Sequence, residues 1–244
     1  MIRDELEGMW HILIKDLKAY YFKPPNISWG ILFPLVLALA FTLRNPASLA
    51  ELTPGLIAMA ALFGTTSMEA IVITFEKRVG ALERLLLTPV SLFTILVAKV
   101  LGGAVFGLVI AGVMTTISLL FLNTIIIYPV LFIVGLTLTL LAHSALGALV
   151  AVSVREVFEA QTLSNYFRFP MVFLCGIFIP VETMPFPIQV IAHLFPLTYS
   201  VDAFRQTLNA TTNFLSLLID LMMLTLFLVA FLILATKIFK KSLE

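Results

Sequence analysis

Five charged side chains, Glu76, Lys77, Arg78, Glu83 and Arg84, fall within nine positions of one another between two long apolar runs. Both signs of charge packed together at the edge of hydrocarbon-rich sequence suit contact with something soluble rather than bond-making chemistry. Three more ionisable residues stand inside apolar runs: Glu69, His143 and Asp220. A buried Asp at mid-span costs at least about 2.5 kcal/mol on insertion scales, so such groups are functional candidates by default. Glu69 reads as a group near the inner mouth of a pathway. His143 reads as a neutral, hydrogen-bonded packing residue ahead of a proton relay, and Asp220 as one that reaches interfacial water or pairs with Arg205.

Intramembrane hydrolysis would need a Ser–His pair, two carboxylates or a metal cluster. Ser144 adjoins His143, but neighbours on a helix point about 100° apart and form no dyad. There is no His-Glu-x-x-His, the three histidines are scattered, and the single cysteine is Cys175. No catalytic residue and no metal site is expected. Nor is there a Gly-x-x-x-x-Gly-Lys-Ser/Thr to cradle a phosphate. If ATP drives this protein, ATP and its Mg bind on another chain.

The elements that must position these residues follow from composition and punctuation. The 244-residue chain is 61% hydrophobic and 12% charged, with mean hydropathy +1.09. Soluble domains run at roughly 45–50% apolar and about 25% charged, so an all-α integral membrane protein is expected. Gly80 bends the charged run. Leu82, Leu85 and Leu86 then share one face of a short helix over 81–87, with Glu83 and Arg84 opposite. Thr88-Pro89 stops that helix, and Ser91 is an N-cap for the long apolar helix beyond.

Residues 1–23 form an amphipathic segment with Leu6, Met9, Trp10, Leu13 and Leu17 on the greasy face, suited to lying in the membrane interface. No secretory peptide is expected ahead of it. Apolar segments follow at 27–43, 54–75, 91–121, 125–153, 167–181 and 213–236, six candidate spans in a single transmembrane domain over 1–244. The fifth is short and closed by Pro180, Pro185 and Pro187. Residues 185–199 are apolar but cannot cross, so 182–205 is expected to be an outer re-entrant helical hairpin. Asn123-Thr124 implies a very short link between spans three and four. Small-residue pairs at Gly103/Gly107 and Ala60/Gly64 offer close helix packing. With both termini inside, 13 of the 15 Lys and Arg lie on the cytoplasmic side, leaving Arg44 and Arg205 outside.

The run Glu-Lys-Arg-x-Gly-x-Leu-Glu-Arg-Leu-Leu-x-Thr-Pro-Val-Ser over 76–91, with a Lys in the next helix, resembles the cytoplasmic loop of type-2 ABC transporter permeases, in the drug- and lipid-exporting branch. The resemblance implies a coupling helix within 76–90 that docks into a separate ATP-binding subunit through Glu76, Lys77, Arg78, Gly80, Leu82, Glu83, Arg84, Leu85 and Pro89. In this picture Glu76 and Arg78 meet charges on the ATPase, while the leucines fill a groove or bury toward lipid. A second resemblance covers 179–208. There Pro180, Met184-Pro185, Pro196-Leu197-Thr198 and Arg205 match the family's extracellular gate.

From the same resemblance, spans two and five of two permease copies line a central path. Met59, Phe63, Glu69, Phe173 and Phe178 are the lining candidates. The implied protein is a multi-pass permease of a prokaryotic cell membrane, paired with a second copy or homologue in the lipid bilayer, with no nucleic-acid partner. An apolar lining, in a chain with 21 Phe but 5 Tyr and 2 Trp, favours a hydrophobic or amphiphilic cargo over a polysaccharide, which would want stacking surfaces and polar partners. A secondary transporter would show paired charges and broken helices at mid-membrane. A channel would show a filter loop or an arginine series. Those patterns are mostly missing.

Overall fold

Apolar runs bounded by caps, glycines and prolines become helices throughout the computed structural model, which describes residues 2–21, 32, 35, 36, 39, 40, 49–122, 124–208 and 214–243. Among these residues every regular element is helical. The order is α1 (Ile2–Asp16), a π-helical turn (Leu17–Tyr21), α2 (Leu49–Arg78), α3 (Ala81–Leu86), α4 (Leu92–Phe121), α5 (Pro129–Ser153), α6 (Val157–Leu174), a 3-10 turn (Val181–Thr183), α7 (Phe186–Ala192), α8 (Pro196–Leu208) and α9 (Phe214–Leu243). Residues 32, 35, 36, 39 and 40 are also helical. The rest of the expected first span, 27–43, lies outside the described residues.

Among the described residues, four helices are long and apolar enough to cross a membrane: α2, α4, α5 and α9. The most apolar stretch of α2 is 83% buried and that of α9 only 17%. Thus α2 is the axial helix, packed on α4, α5, α6 and α8, while α9 leans on α5 and α8 and turns most of its surface outward. Because lipid tails are as apolar as leucine, close packing rather than hydrophobic transfer must join these helices. Glycines supply it. A Cβ on Gly64 would lie 3.2 Å from the Gly107 backbone, and one on Gly147 would lie 2.8 Å from the Thr66 carbonyl.

Several sequence expectations are corrected. The fifth apolar run is not a helix over 167–181. Instead α6 starts ten residues earlier, where Glu159 accepts from the Arg155 and Glu156 amides at 3.1 and 3.3 Å, and it ends at Leu174 before Gly176, whose φ is +84°. This polar N-terminal half hid the start of the helix. The α4–α5 link is not a two-residue turn, since α5 begins only at Pro129, a residue suited to the first helical turn. The amides of Ile127 and Tyr128 both donate to the Thr207 carbonyl, tying this link to the end of α8. The apolar helix pair after α6 runs past 199, because α8 continues to Leu208.

Candidate functional site

The loop between α2 and α4 is built as a platform. Gly80 takes φ +69°, the left-handed conformation that turns the chain out of α2. Ser91 Oγ accepts from the Thr94 amide and caps α4. The leucine face of α3 is drawn onto the protein: Leu82 is buried in a cluster with Ile73, Ile95 and Leu96, and Leu85 and Leu86 pack against it. So Leu82 points neither at lipid nor at a partner's groove. Glu83, Arg84 and Pro89 are exposed. Leu87, one position beyond α3, is 88% exposed. Lys77 donates to the Val154 carbonyl at 3.4 Å and Arg78 lies 4.0 Å from Glu156. The start of α6, with Phe158 bare at its first turn, therefore stands beside the α3 loop.

Glu76 does something else. Its side chain is fully buried, accepting from Lys99 of α4 and, at 2.6 Å, from Lys15 of α1. Its role as a docking charge is corrected to an internal one, because both carboxylate oxygens are engaged. Lys99 also lies 2.6 Å from Asp16, and Lys15 lies 3.0 Å from the other Asp16 oxygen. Burial pushes the Asp16 carboxyl up despite Lys99. Burial works to lower Lys15, but its bond to Glu76 and its neighbour Asp16 leave it raised. Two cations and two carboxylates thus close a neutral knot joining α1, α2 and α4. The signal in the sequence was a lone Lys99 inside an apolar run, which requires a carboxylate; which carboxylates answer it was not legible.

Helix α1 accompanies α4 instead of lying flat across the helix ends. Glu5 accepts from the Ser91 amide at 3.0 Å, Asp16 reaches Lys99, and Tyr21 packs on Gly102. The two helices therefore run in the same direction for about three turns of α4. Residues five apart on an α-helix sit about 140° apart, so Asp16 and Tyr21 would face different ways. The π turn, bonded i→i+5, brings them toward one side. The greasy outer face persists, with Leu6 and Trp10 exposed.

Deeper in, the Tyr21 hydroxyl donates to Glu69 Oε2. Glu69 is fully buried in a notch made by missing side chains: a Cβ on Gly103 would lie 2.6 Å from Glu69 Oε2, and one on Gly147 would lie 2.9 Å from Glu69 Cβ. Among the lining candidates, Met59 is buried in the α2 core and Phe63 is half-buried. Phe173 is exposed beside Phe178, ring centroids 6.0 Å apart. The structure thus separates Glu69 and Met59 from the aromatic pair. Sequence reasoning missed Arg168, read only as an inner-side charge. It is 2% exposed, its guanidinium 4.9 Å from the Phe63 ring centroid and donating to Ser67 Oγ. Those partners lie midway along α2. An arginine at mid-span costs about 2.5–3.5 kcal/mol or more.

His143 and Ser144 diverge as their spacing predicts. His143 Nδ1 donates to the Thr139 carbonyl at 2.8 Å and Ser144 Oγ donates to the Val100 carbonyl at 2.8 Å.

At the opposite end the candidate gate residues are turn-formers. The Pro180 carbonyl accepts from Thr183, the Met184 carbonyl from Gln189 at 2.8 Å, and the Pro185 carbonyl from the Ile188 and Gln189 amides. Pro196 opens α8, and Thr198 Oγ1 reaches back to the Ala192 carbonyl. Arg205 donates to the Gly176 carbonyl at 2.9 Å, not to Asp220. The Gln206 side-chain amide lies 3.0 Å from both Asp202 and Asp220. These carboxylates edge a cavity of about 330 Å³ that also meets Cys175, His193, Tyr199 and Arg205.

With this geometry described, comparison with known proteins is informative. Residues 7–209 match the family model described as ABC-2 type transporter. The chain is similar to the inner membrane transport permease YadH of Escherichia coli strain K12, 28% identical over 154 residues, which are 63% of this chain and 60% of that protein. It is also similar to the inner membrane transport permease YhhJ of the same strain, 27% identical over 164 residues, 63% of this chain and 43% of that protein. The chain thus matches about three-fifths or less of the length of these relatives.

Proposed function

Because this chain belongs to the ABC-2 type transporter family, we propose that it is the membrane-spanning permease subunit of an ATP-driven exporter in a prokaryotic cell membrane. It crosses six times with both termini in the cytoplasm. It works with a separate ABC ATP-binding subunit, which holds ATP and Mg, and with a second permease copy or homologue. The cargo is hydrophobic or amphiphilic.

The observation that carries this reading is the exposed face at the α3 end. Arg78, Glu83 and Arg84 are exposed there, and so are two large apolar side chains, Leu87 and, at the neighbouring start of α6, Phe158. A charged rim around apolar anchors is the composition of a protein-docking patch, and α3 is backed by the Leu82 cluster, so force applied there reaches α2 and α4. Movement of the ATPases would tilt these helices, and the proline-braced α7–α8 end would form the outer gate.

The test is recovery of the tagged chain from gently solubilised native membranes. A P-loop ATPase retained near one-to-one, and lost on Leu87→Asp with Phe158→Asp, is the expected result. Intact permease that never brings an ATPase with it would overturn the reading.

A further inference from the structure

Arg168 is a buried cation. Among the described residues it forms no ion pair. Its Nε donates to the Ser164 carbonyl at 3.3 Å, one terminal nitrogen donates to Ser67 Oγ, and the Phe63 ring lies against its plane. Among the described residues the other terminal nitrogen, Nη2, has no hydrogen-bond partner. Two more buried polar atoms on the same helix are also unsatisfied, Ser164 Oγ and Gln161 Oε1. Positions 161, 164 and 168 fall within about 60° of one another around α6, so these groups share one face.

Natural interiors satisfy their buried polar groups, and a buried charge left without a partner is the most expensive exception. Three exceptions on one helix face group into a polar site that a bound group would satisfy. The charge of that ligand follows from the donors. A guanidinium fork prefers the planar oxygens of a carboxylate or phosphate, and a serine hydroxyl can donate to the same anion. Access is short: Phe63 and Ser67, which cover the guanidinium, are themselves partly exposed. Tyr166, Phe169 and Phe173 are exposed on other faces of α6, about 100–160° round the helix from Arg168, so a hydrocarbon tail would leave past Phe63.

We infer that the α2–α6 contact at Arg168 binds the acidic headgroup of an anionic amphiphile, with the tail leaving past the partly exposed Phe63. Gln161 Oε1, an acceptor, would take a headgroup hydroxyl or a bridging water. This deepens the proposed function, on which it rests for the identity of the cargo, by naming an acidic amphiphile as the class.

The test uses the full chain in phosphatidylcholine nanodiscs, with affinity for dodecyl phosphate, inorganic phosphate and dodecyltrimethylammonium read by native mass spectrometry. Dodecyl phosphate should bind best. Arg168→Gln should weaken it at least tenfold, Arg168→Lys less, and Ser164→Ala several-fold with an unchanged melting temperature. The Ser164 variant keeps the test open if Arg168→Gln fails to fold. Undiminished dodecyl phosphate binding in folded Arg168→Gln and Ser164→Ala, or equal affinity for inorganic phosphate, would overturn the inference. Retention of the ATPase by the same variants checks the permease reading separately, so the two can fail independently.

Discussion

The ammonium of Lys99 in α4 lies 2.6 Å from Oδ2 of Asp16 in α1, and neither side chain reaches solvent. With Glu76 on its other side, Lys99 is the cation that lets two buried carboxylates sit together. Lys99→Met leaves them facing the half-exposed Lys15 alone, and breaking a buried pair by removing one partner costs about 3–5 kcal/mol. We expect a large fall in melting temperature. The triple variant Lys99→Met, Asp16→Asn, Glu76→Gln should recover much of it, since it removes every fully buried charge and leaves only the half-exposed Lys15. A triple variant no more stable than the single would show that the knot matters through shape, not charge.

The Glu5 clasp should open in acid. Contact with Thr94, then with Ser91, holds its carboxyl below the ordinary 4.5 despite some desolvation. A group with a lowered folded value contributes stability that is complete above its unfolded pKa and is lost as pH falls through the folded one. Asp16 has the opposite sign: its raised value means the folded state takes up the proton first, so it does not add to the acid loss. Spin labels at exposed positions 6 and 87 should move apart below about pH 4.5, and Glu5→Gln should show the wider distance already at neutral pH. A distance constant over that range in the wild type counts against the clasp.

Gly103 should not tolerate a methyl group. A Cβ there meets Glu69 Oε2 and Ser144 Oγ, and overpacking of this kind costs about 1–3 kcal/mol. Gly112, with nothing within 4 Å of its added Cβ, is the matched control. Thermal melts of Gly103→Ala and Gly112→Ala should separate by several degrees, with Gly112→Ala at or above the wild-type value.

Charge reversal distinguishes the two kinds of acid and base near α3. Arg84→Glu with Glu83→Lys changes only exposed positions, so ATPase co-purification should fall while the melting temperature stays put. Glu76→Gln should do the reverse, lowering the melting temperature through the Lys99 knot. Equal loss of partner binding and stability in both would mean that the exposed face and the knot are one unit.

Much of the architecture was legible because its signals are local. Ser91 capping α4, Gly80 bending the loop and Thr88-Pro89 ending α3 each act within a few residues. Sites formed between distant segments were not legible. Glu76 looks like its exposed neighbours Lys77 and Arg78 in sequence, and only the approach of Lys15 and Lys99 turns it inward. Arg168 looks like an inner-side charge because α6 begins with polar residues, which conceals that the helix carries it to the middle of α2. Leu82 in α3 and Leu87 just beyond it differ in fate by five positions, buried and bare, and the deciding fact is which face Ile73 and Leu96 occupy.

The π turn at Leu17–Tyr21 makes α1 a gauge of fixed length. Its teeth are Glu5, Asp16 and Tyr21, which mesh with Ser91, Lys99 and Glu69. Adding or deleting one residue between them would swing every tooth on one side by about 100° and disengage it. Sequence drift can therefore change the outward letters of this helix, Leu6 and Trp10 among them, far more readily than it can change the count of residues from 5 to 21.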